Sequence, residues 1–366
     1  MSKDDTDLAW LKLGQIETPV DTFLEAAMSQ ENAPERLADM SLKLGEKLGE
    51  NDAAAIALLA RSQAPQDPWI AALTSRLLAM QSPNWHWTIA RDERRNAVYD
   101  RALRNCITPQ STVLEVGTGS GILAMMAARA GARHVYTVEF MPAIAAAARE
   151  NIRRNGYAEK ITVICDDFNN VSVGDQLPEH CNVFLQEVLA DDLLGEFVLS
   201  LTEHARSKLL TKDAVHLPDS IWAMAQVGHA DQPEGTKALG TQAGFDLSAL
   251  DLLRRPNFSK NGPYVGFAPR TDPVEILRFD LTDPGANPPK DAVHKVSVTQ
   301  NGTANAIVQW LGFSFPDGTE YSNPPNTWSS WALRIWPFDE RKVAKGDEFD
   351  LRCRYDGNHV VPIAGG

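Results

Sequence analysis

The run Thr112-Val113-Leu114-Glu115-Val116-Gly117-Thr118-Gly119-Ser120-Gly121 joins a short, mostly apolar strand to three glycines at alternate positions. Glycine lets a chain turn tightly and brings its backbone close to a neighbour. Outward from this run, Ile122–Ala130 reads as a helix, Val135–Val138 as a strand and Pro142–Asn155 as a helix, with strands again at Lys160–Cys165 and Asn182–Leu185. Strands alternating with helices at this spacing mean a parallel sheet covered on both faces, the α/β Rossmann-like arrangement. After Pro218 the pattern becomes all-β. Runs such as Ile221–Val227, Val274–Phe279, His294–Thr299, Ala304–Gly312 and Trp331–Trp336 are separated by Gly, Pro, Asn and Asp, which suggests a barrel or sandwich. Upstream, Leu37, Met40, Leu44, Leu48, Ile56 and Leu59 recur at helical spacing, and Asp67-Pro68 marks the start of a further helix. Three segments follow: a helical extension over 1–83, a Rossmann-like domain over 84–217 and a β domain, barrel or sandwich, over 218–366.

The glycine run also carries chemistry. A helix starting beyond Gly121 adds the positive end of its dipole to the bare backbone, which suits an anionic ligand. Dinucleotide loops read G-x-G-x-x-G, whereas here the third glycine arrives one residue sooner. That spacing, with Glu115 two positions before Gly117, favours a loop for S-adenosyl-L-methionine. Glu139 ends the next strand, where a carboxylate accepts from both ribose hydroxyls. Asp167 and Phe168 follow the third strand, where adenine would be met.

Bulk composition narrows the class. The chain has 366 residues, 43% apolar and 23% charged, ordinary for a globular protein. No run approaches the roughly 20 apolar residues that span a bilayer, and the acidic start lacks the pattern of a secretory signal. Cys106, Cys165, Cys181 and Cys353 are far apart, and His216, His229, His294 and His359 are scattered, so neither a metal site nor a disulfide framework is expected. A cytoplasmic setting is the expectation. The net charge of −13 repels phosphate backbones and attracts cationic partners, although many soluble proteins are acidic simply for solubility.

Glu187 and Glu196 stand nine positions apart after the fourth strand, the sheet end where open α/β folds place their ligands. Two carboxylates suit a guanidinium, held by bidentate, charge-assisted hydrogen bonds, although the same spacing also reads as solvated acids at a helix start. From about His86 to about Asp356 the chain resembles the protein arginine N-methyltransferases. Glu187 and Glu196 match the two glutamates of the family's double-E loop, and His86, Asp92 and Arg95 match its His, Asp and Arg upstream. Leu217-Pro218-Asp219 resembles the crossing into the family's β-barrel, and Gly244-Phe245-Asp246-Leu247-Ser248 the start of its dimerisation arm, expected over about 244–270. The resemblance implies that Arg95 grips the methionine carboxylate of S-adenosylmethionine, with His86 also on the cofactor side, and that Asp92 supports Glu196. It further implies an arginine-containing protein or peptide substrate and a homodimer.

Departures from the family pattern bear on substrate and product. The Thr-His-Trp loop that closes the family's substrate pocket is here Asn326-Thr327-Trp328, with Thr327 at the histidine position. Ile89 and Val188-Leu189 stand where the family has methionine and Trp-Met, places that shape how many methyl groups fit. Two other readings stay open on sequence: a methyltransferase for a small molecule or another nucleophile, and a catalytically quiet binding scaffold.

Overall fold

The computed structural model describes residues 32–44, 50–287 and 290–365. The helical expectations over residues 1–31 and at Leu48 lie outside them. Helices α1 (Ala33–Leu44), α2 (Glu50–Gln63) and α3 (Pro68–Gln81) bury Leu37, Ala38, Ile56, Leu59, Ala60 and Ile70 in a core of their own. Asp67 opens α3 by accepting from the amides of Trp69 and Ile70, at 2.8 and 3.2 Å, with Pro68 in the first turn, where its missing N–H costs nothing. Arg61 ties α2 to α3 through Thr74 Oγ1 and the carbonyl of Ala71. Helices α4 (Trp85–Ala90) and α5 (Glu93–Cys106) follow.

The alternation read from the sequence is present as β1 (Thr112–Val116), α6 (Ile122–Arg129), β2 (His134–Glu139), α7 (Pro142–Arg154), β3 (Ile161–Cys165), β4 (Cys181–Gln186), α8 (Val198–Lys208) and β5 (Leu210–Leu217). The sheet order is β3-β2-β1-β4-β5, with β1, β2 and β3 parallel. All five residues of β1 are buried, as expected of a parallel strand covered on both faces. The register sets Glu115 beside Thr137 and Glu139 beside Cys165, so both carboxylates occupy defined places on neighbouring strands.

Beyond Pro218 come β6 (Ser220–Ala230), β7 (Thr241–Gln242), β8 (Phe245–Asp246), β9 (Phe258–Lys260), β10 (Phe267–Pro269), β11 (Val274–Asp280), β12 (Lys290–Ser297), β13 (Gly302–Ser314), β14 (Glu320–Ser322), β15 (Leu333–Val343), β16 (Glu348–Tyr355) and β17 (Val360–Gly365). The β-barrel domain expected here is built from antiparallel sheets. One runs β10-β6-β13-β15-β9, with β11 also on β6 and β14 on β13; a second runs β12-β16-β17.

Two compact units divide the chain: the described residues up to Arg91 with Ile107–Asn182, and Asp92–Cys106 with Val183 onward. This differs from the boundary at 217/218 expected from sequence, because α5 keeps company with the β-rich region. Its Tyr99 ring lies 5.5 Å from Phe313 and 5.1 Å from Phe315, and Asn105 donates to Asp317. Within the arm expected over 244–270, residues 258–260 pair with β15 and residues 267–269 with β6, while β8 pairs with β7 and a 3-10 helix spans Ser248–Leu253.

Phe313 is fully buried and touches Tyr99, Phe315, Tyr321 and Trp331. Phe313→Ala should cost about 3–5 kcal/mol in urea unfolding. A loss below about 1 kcal/mol would show that this aromatic cluster does not hold α5.

Candidate active site

The site residues fall into two groups, one in each unit. In the first unit, Gly117, Gly119 and Gly121 have φ of 81°, 52° and 82°, the left-handed region that side chains resist. The amides of Gly117 and Thr118 donate to the carbonyl of Val138 at 3.0 and 3.1 Å, folding the loop back onto β2. A Cβ at Gly119 would stand in open space, whereas one at Gly121 would press on Ile152 at 3.3 Å. Gly121 therefore serves helix packing, and Gly119 keeps the backbone bare.

Glu115 is buried beneath this loop. Thr137 Oγ1 donates to its Oε2 at 2.5 Å and lies 2.7 Å from Thr118 Oγ1. Glu115 thus shapes the loop from behind, through two threonines that carry no motif of their own. Glu139 accepts from Gly119 N at 2.9 Å and from Met141 N at 3.0 Å, one bond to each oxygen. Each carboxylate oxygen has a second lone pair, so ribose hydroxyls remain acceptable donors there. Asp167 turns back to cap the short helix Phe168–Asn170 by accepting from Asn169 N at 2.8 Å, and Phe168 is buried. His86 stacks on Trp85 with ring centroids 3.8 Å apart, and its Nδ1 lies 3.1 Å from the carbonyl of Pro83. The bare glycine backbone and the strand-end carboxylate fit S-adenosylmethionine.

In the second unit, Arg95 Nη2 donates to Glu187 Oε2 at 2.6 Å, with both side chains at most 9% exposed. The resemblance assigned Arg95 to the methionine carboxylate; in this structure its partner is the first glutamate of the double-E loop. Burial pushes the Glu187 carboxyl above its usual range, against the pull of the Arg95 guanidinium. Glu187 Oε1 is buried and has no hydrogen-bond partner among the described residues. Burial also raises Glu196, to about 7, and the neighbouring charges of Glu187, Asp191 and Asp192 add to the effect.

Asp92 does not brace Glu196, as the resemblance implied. Its Oδ1 caps α5 by accepting from Arg95 N at 2.9 Å. Its Oδ2 accepts from Ser330 N at 2.8 Å, Ser330 Oγ at 2.9 Å and the Tyr321 hydroxyl at 3.4 Å. Tyr321 is buried, bonds Ser329 and carries Arg94 over its ring at 4.8 Å. Ser330 and Tyr321 therefore hold the carboxylate in a chain where Thr327 replaces the family's histidine. Thr327 Oγ1 bonds Asn326, and Trp328 is half exposed beside it. Trp331 packs on Phe313 and Tyr321, and its Nε1 donates to Leu189 O at 2.6 Å. Tyr321, Ser329 and Ser330 carried no motif; only their closeness to Asn326-Thr327-Trp328 could have drawn notice.

Comparisons with known proteins identify the family. Residues 100–215 match the sequence family described as Ribosomal protein L11 methyltransferase (PrmA). An Arginine N(omega)-methyltransferase of Streptomyces achromogenes subsp. streptozoticus is 30% identical over 268 residues, 73% of this chain and 74% of the relative. The chain belongs to the protein arginine N-methyltransferase family. It is accordingly an S-adenosylmethionine-dependent arginine methyltransferase. Protein arginine N-methyltransferase 7 of Drosophila ananassae is 32% identical over 250 residues, covering 63% of this chain but only 36% of that longer protein. Among solved structures, the Trypanosoma brucei PRMT1 enzyme–prozyme heterotetrameric complex with AdoHcy superposes with a TM-score of 0.66 at 21% identity, over 75% of this chain and 89% of that one. Arabidopsis thaliana Protein Arginine Methyltransferase 10, at 19% identity and the same coverage, gives 0.62. At such identities the likeness speaks for the fold.

Gly119→Ala tests the bare backbone. It should cost roughly 1 kcal/mol of stability for the left-handed φ, yet weaken S-adenosylhomocysteine binding by ~10-fold or more in calorimetry. Unchanged affinity would remove Gly119 from the cofactor surface.

Proposed function

We propose that the enzyme methylates a guanidino nitrogen of arginine within a protein or peptide, with Glu187 and Glu196 as the clamp for the guanidinium. The observation that supports this most is the charge around Glu196. Glu187, Asp191, Asp192 and Glu196 share one short loop, and the guanidiniums paired with it are those of Arg95 and Arg334. Among the described residues Glu196 has no ion-pair partner. A substrate guanidinium supplies the missing positive charge, with N–H donors for Glu187 Oε1 and for Glu196.

S-adenosylmethionine, when bound, supplies the methyl group on a positively charged sulfur. The chain's own task is alignment, which is worth ~7–11 kcal/mol where reactants are held in line. A free guanidinium has a pKa near ~13.8 and delocalised lone pairs, so it is a poor nucleophile. Two carboxylates on its other nitrogens draw the positive charge toward themselves and leave the attacking nitrogen richer in electrons. As the N–C bond forms and the S–C bond breaks, the guanidinium must shed a proton. Glu196, with a pKa near neutrality, is matched to accept it. Asp92, engaged with Ser330 and Tyr321, is a structural anchor in this scheme.

A second reading follows from the Streptomyces relative, which is named for arginine without the word protein. Free arginine and arginine peptides are therefore compared in the same assay. We also propose a homodimer through the arm, where Phe245, Leu250, Leu252 and Leu253 are exposed, the last two by 80% or more. A cytoplasmic setting suits the four free thiols.

With labelled S-adenosylmethionine, Glu187→Gln and Glu196→Gln should each lower kcat by ~100-fold or more, with cofactor affinity unchanged. Near-full activity in either variant would end the clamp. Since the carboxylate form of Glu196 forms above its pKa, kcat/KM should rise with pH up to about 7 and level off beyond it. A flat profile from about pH 6 to about pH 8 would remove Glu196 from the mechanism. Sedimentation should give a dimer that Leu252→Asp with Leu253→Asp converts to monomer; a wild-type monomer would reject the arm's role.

A further inference from the structure

The loop from Glu187 to Glu196 is held by the entrance to β15 at three points. Trp331 Nε1 donates to Leu189 O at 2.6 Å, Ala332 N to Asp191 Oδ1 at 2.7 Å, and Arg334 Nη2 to Asp192 Oδ2 at 3.2 Å. The third contact is the ionic one, and it extends in both directions. Arg334 Nη1 donates to Asn257 Oδ1 at 2.9 Å, just before β9, where the chain returns from the arm. On the other side, Asp192 Oδ1 accepts from the amide of Gly195, the residue immediately before Glu196, at 2.9 Å. The approach is close: a Cβ at Gly195 would lie 2.7 Å from that same oxygen. Asn257, Arg334, Asp192 and Gly195 therefore form one unbroken chain of contacts ending at Glu196.

We infer that Arg334 is a positioning residue for methyl transfer: by holding Asp192 it fixes the place of Glu196 and balances the charge around it. The inference rests on reading Glu196 as the ionised partner of the guanidinium. Its electrostatic part follows from the groups on each side. Glu187, Asp191 and Asp192 all disfavour a charged Glu196. Arg95 offsets Glu187, and Arg334 offsets Asp192 and Asp191. The Arg334–Asp192 pair is neither open to water nor sealed from it, at 25% and 21% exposed, so its charges remain felt by a buried neighbour. A cavity lined by Thr236, Arg254, Arg255, Asn257 and Phe258 lies beside Arg334 on the arm side, leaving room for an altered side chain.

The test is the pH dependence of kcat/KM in wild type, R334M, R334K, D192N and the double variant R334M/D192N, with cofactor affinity measured alongside. Removing the Arg334 charge leaves Asp192 uncompensated and should move the midpoint up by roughly half to one pH unit. Removing the Asp192 charge should move it down, while the side-chain amide oxygen introduced by D192N still offers Gly195 an acceptor. In the double variant the two displacements should largely cancel. R334K should keep the midpoint near that of wild type while kcat falls roughly tenfold, because an ammonium keeps the charge but lacks the fixed fork that holds Asn257 and Asp192 in place. Cofactor affinity should stay constant throughout. Wild-type midpoints in both R334M and D192N, or displacement in the same direction, would overturn the inference. If R334M does not fold, the downward displacement in D192N decides. A flat wild-type profile, or an active E196Q, takes down the clamp reading and this inference together; a normal wild-type inflection with unmoved variants rejects this inference alone.

Discussion

The buried ion pair between Arg95 and Glu187 is the contact on which the second unit's chemistry depends. A carboxylate taken out of water without a partner would simply hold its proton. The guanidinium at 2.6 Å opposes that tendency, and the backbone makes the pairing durable, since Arg95 lies in the first turn of a helix capped by Asp92. Breaking one side of such a pair typically costs ~3–5 kcal/mol, because the other charge is left stranded. The same pairing uses only one oxygen of Glu187, so the second is available for a substrate donor.

Further contacts in this unit keep a crowded set of acids in place. Asp92 ties α5 to Ser330, and Asp191 and Asp192 tie the double-E loop to residues 332 and 334, so one short stretch of barrel chain serves both elements. The backbone bears some of the cost. Leu193 and Phe197 adopt φ of 77° and 61°, conformations that non-glycine residues avoid, on either side of Gly195 and Glu196. Strain of this kind persists only where surrounding contacts over-determine it, and it tends to gather at working sites.

These relations set what a reader of the sequence could see. The parallel strands, the glycine loop and Glu139 were legible because each has a local signature: burial on both faces, left-handed turns, a carboxylate at a strand end. Glu187 and Glu196 were visible through spacing and family likeness. Arg334, Tyr321, Ser330 and Thr137 were not, because each acts through a partner distant in sequence or on a neighbouring strand, and nothing in their own vicinity marks them. The pairing of Arg95 with Glu187 was missed for a related reason. A motif assigns one role to each residue, whereas a buried guanidinium has five donors and takes whichever acid lies nearest. The domain boundary followed the same logic, since the side chains of α5, and not its place in the chain, decide which unit it joins.

The replacement of the family's histidine by Thr327 then fits a consistent picture. A histidine–aspartate contact would give Asp92 a partner able to carry a proton. Ser330 and Tyr321 give it three donors that do not titrate near neutrality, and burial lifts Tyr321 itself to about 12. In the proposed scheme an acid held in this way is an anchor. The proton released from a methylated guanidinium leaves, in that scheme, by another group, and Glu196, a carboxyl of the loop raised to about 7, is suited to take it. Under the proposed clamp, Thr327 at the histidine position and the raised pKa of Glu196 belong to one arrangement, with proton transfer assigned to the glutamates that hold the substrate.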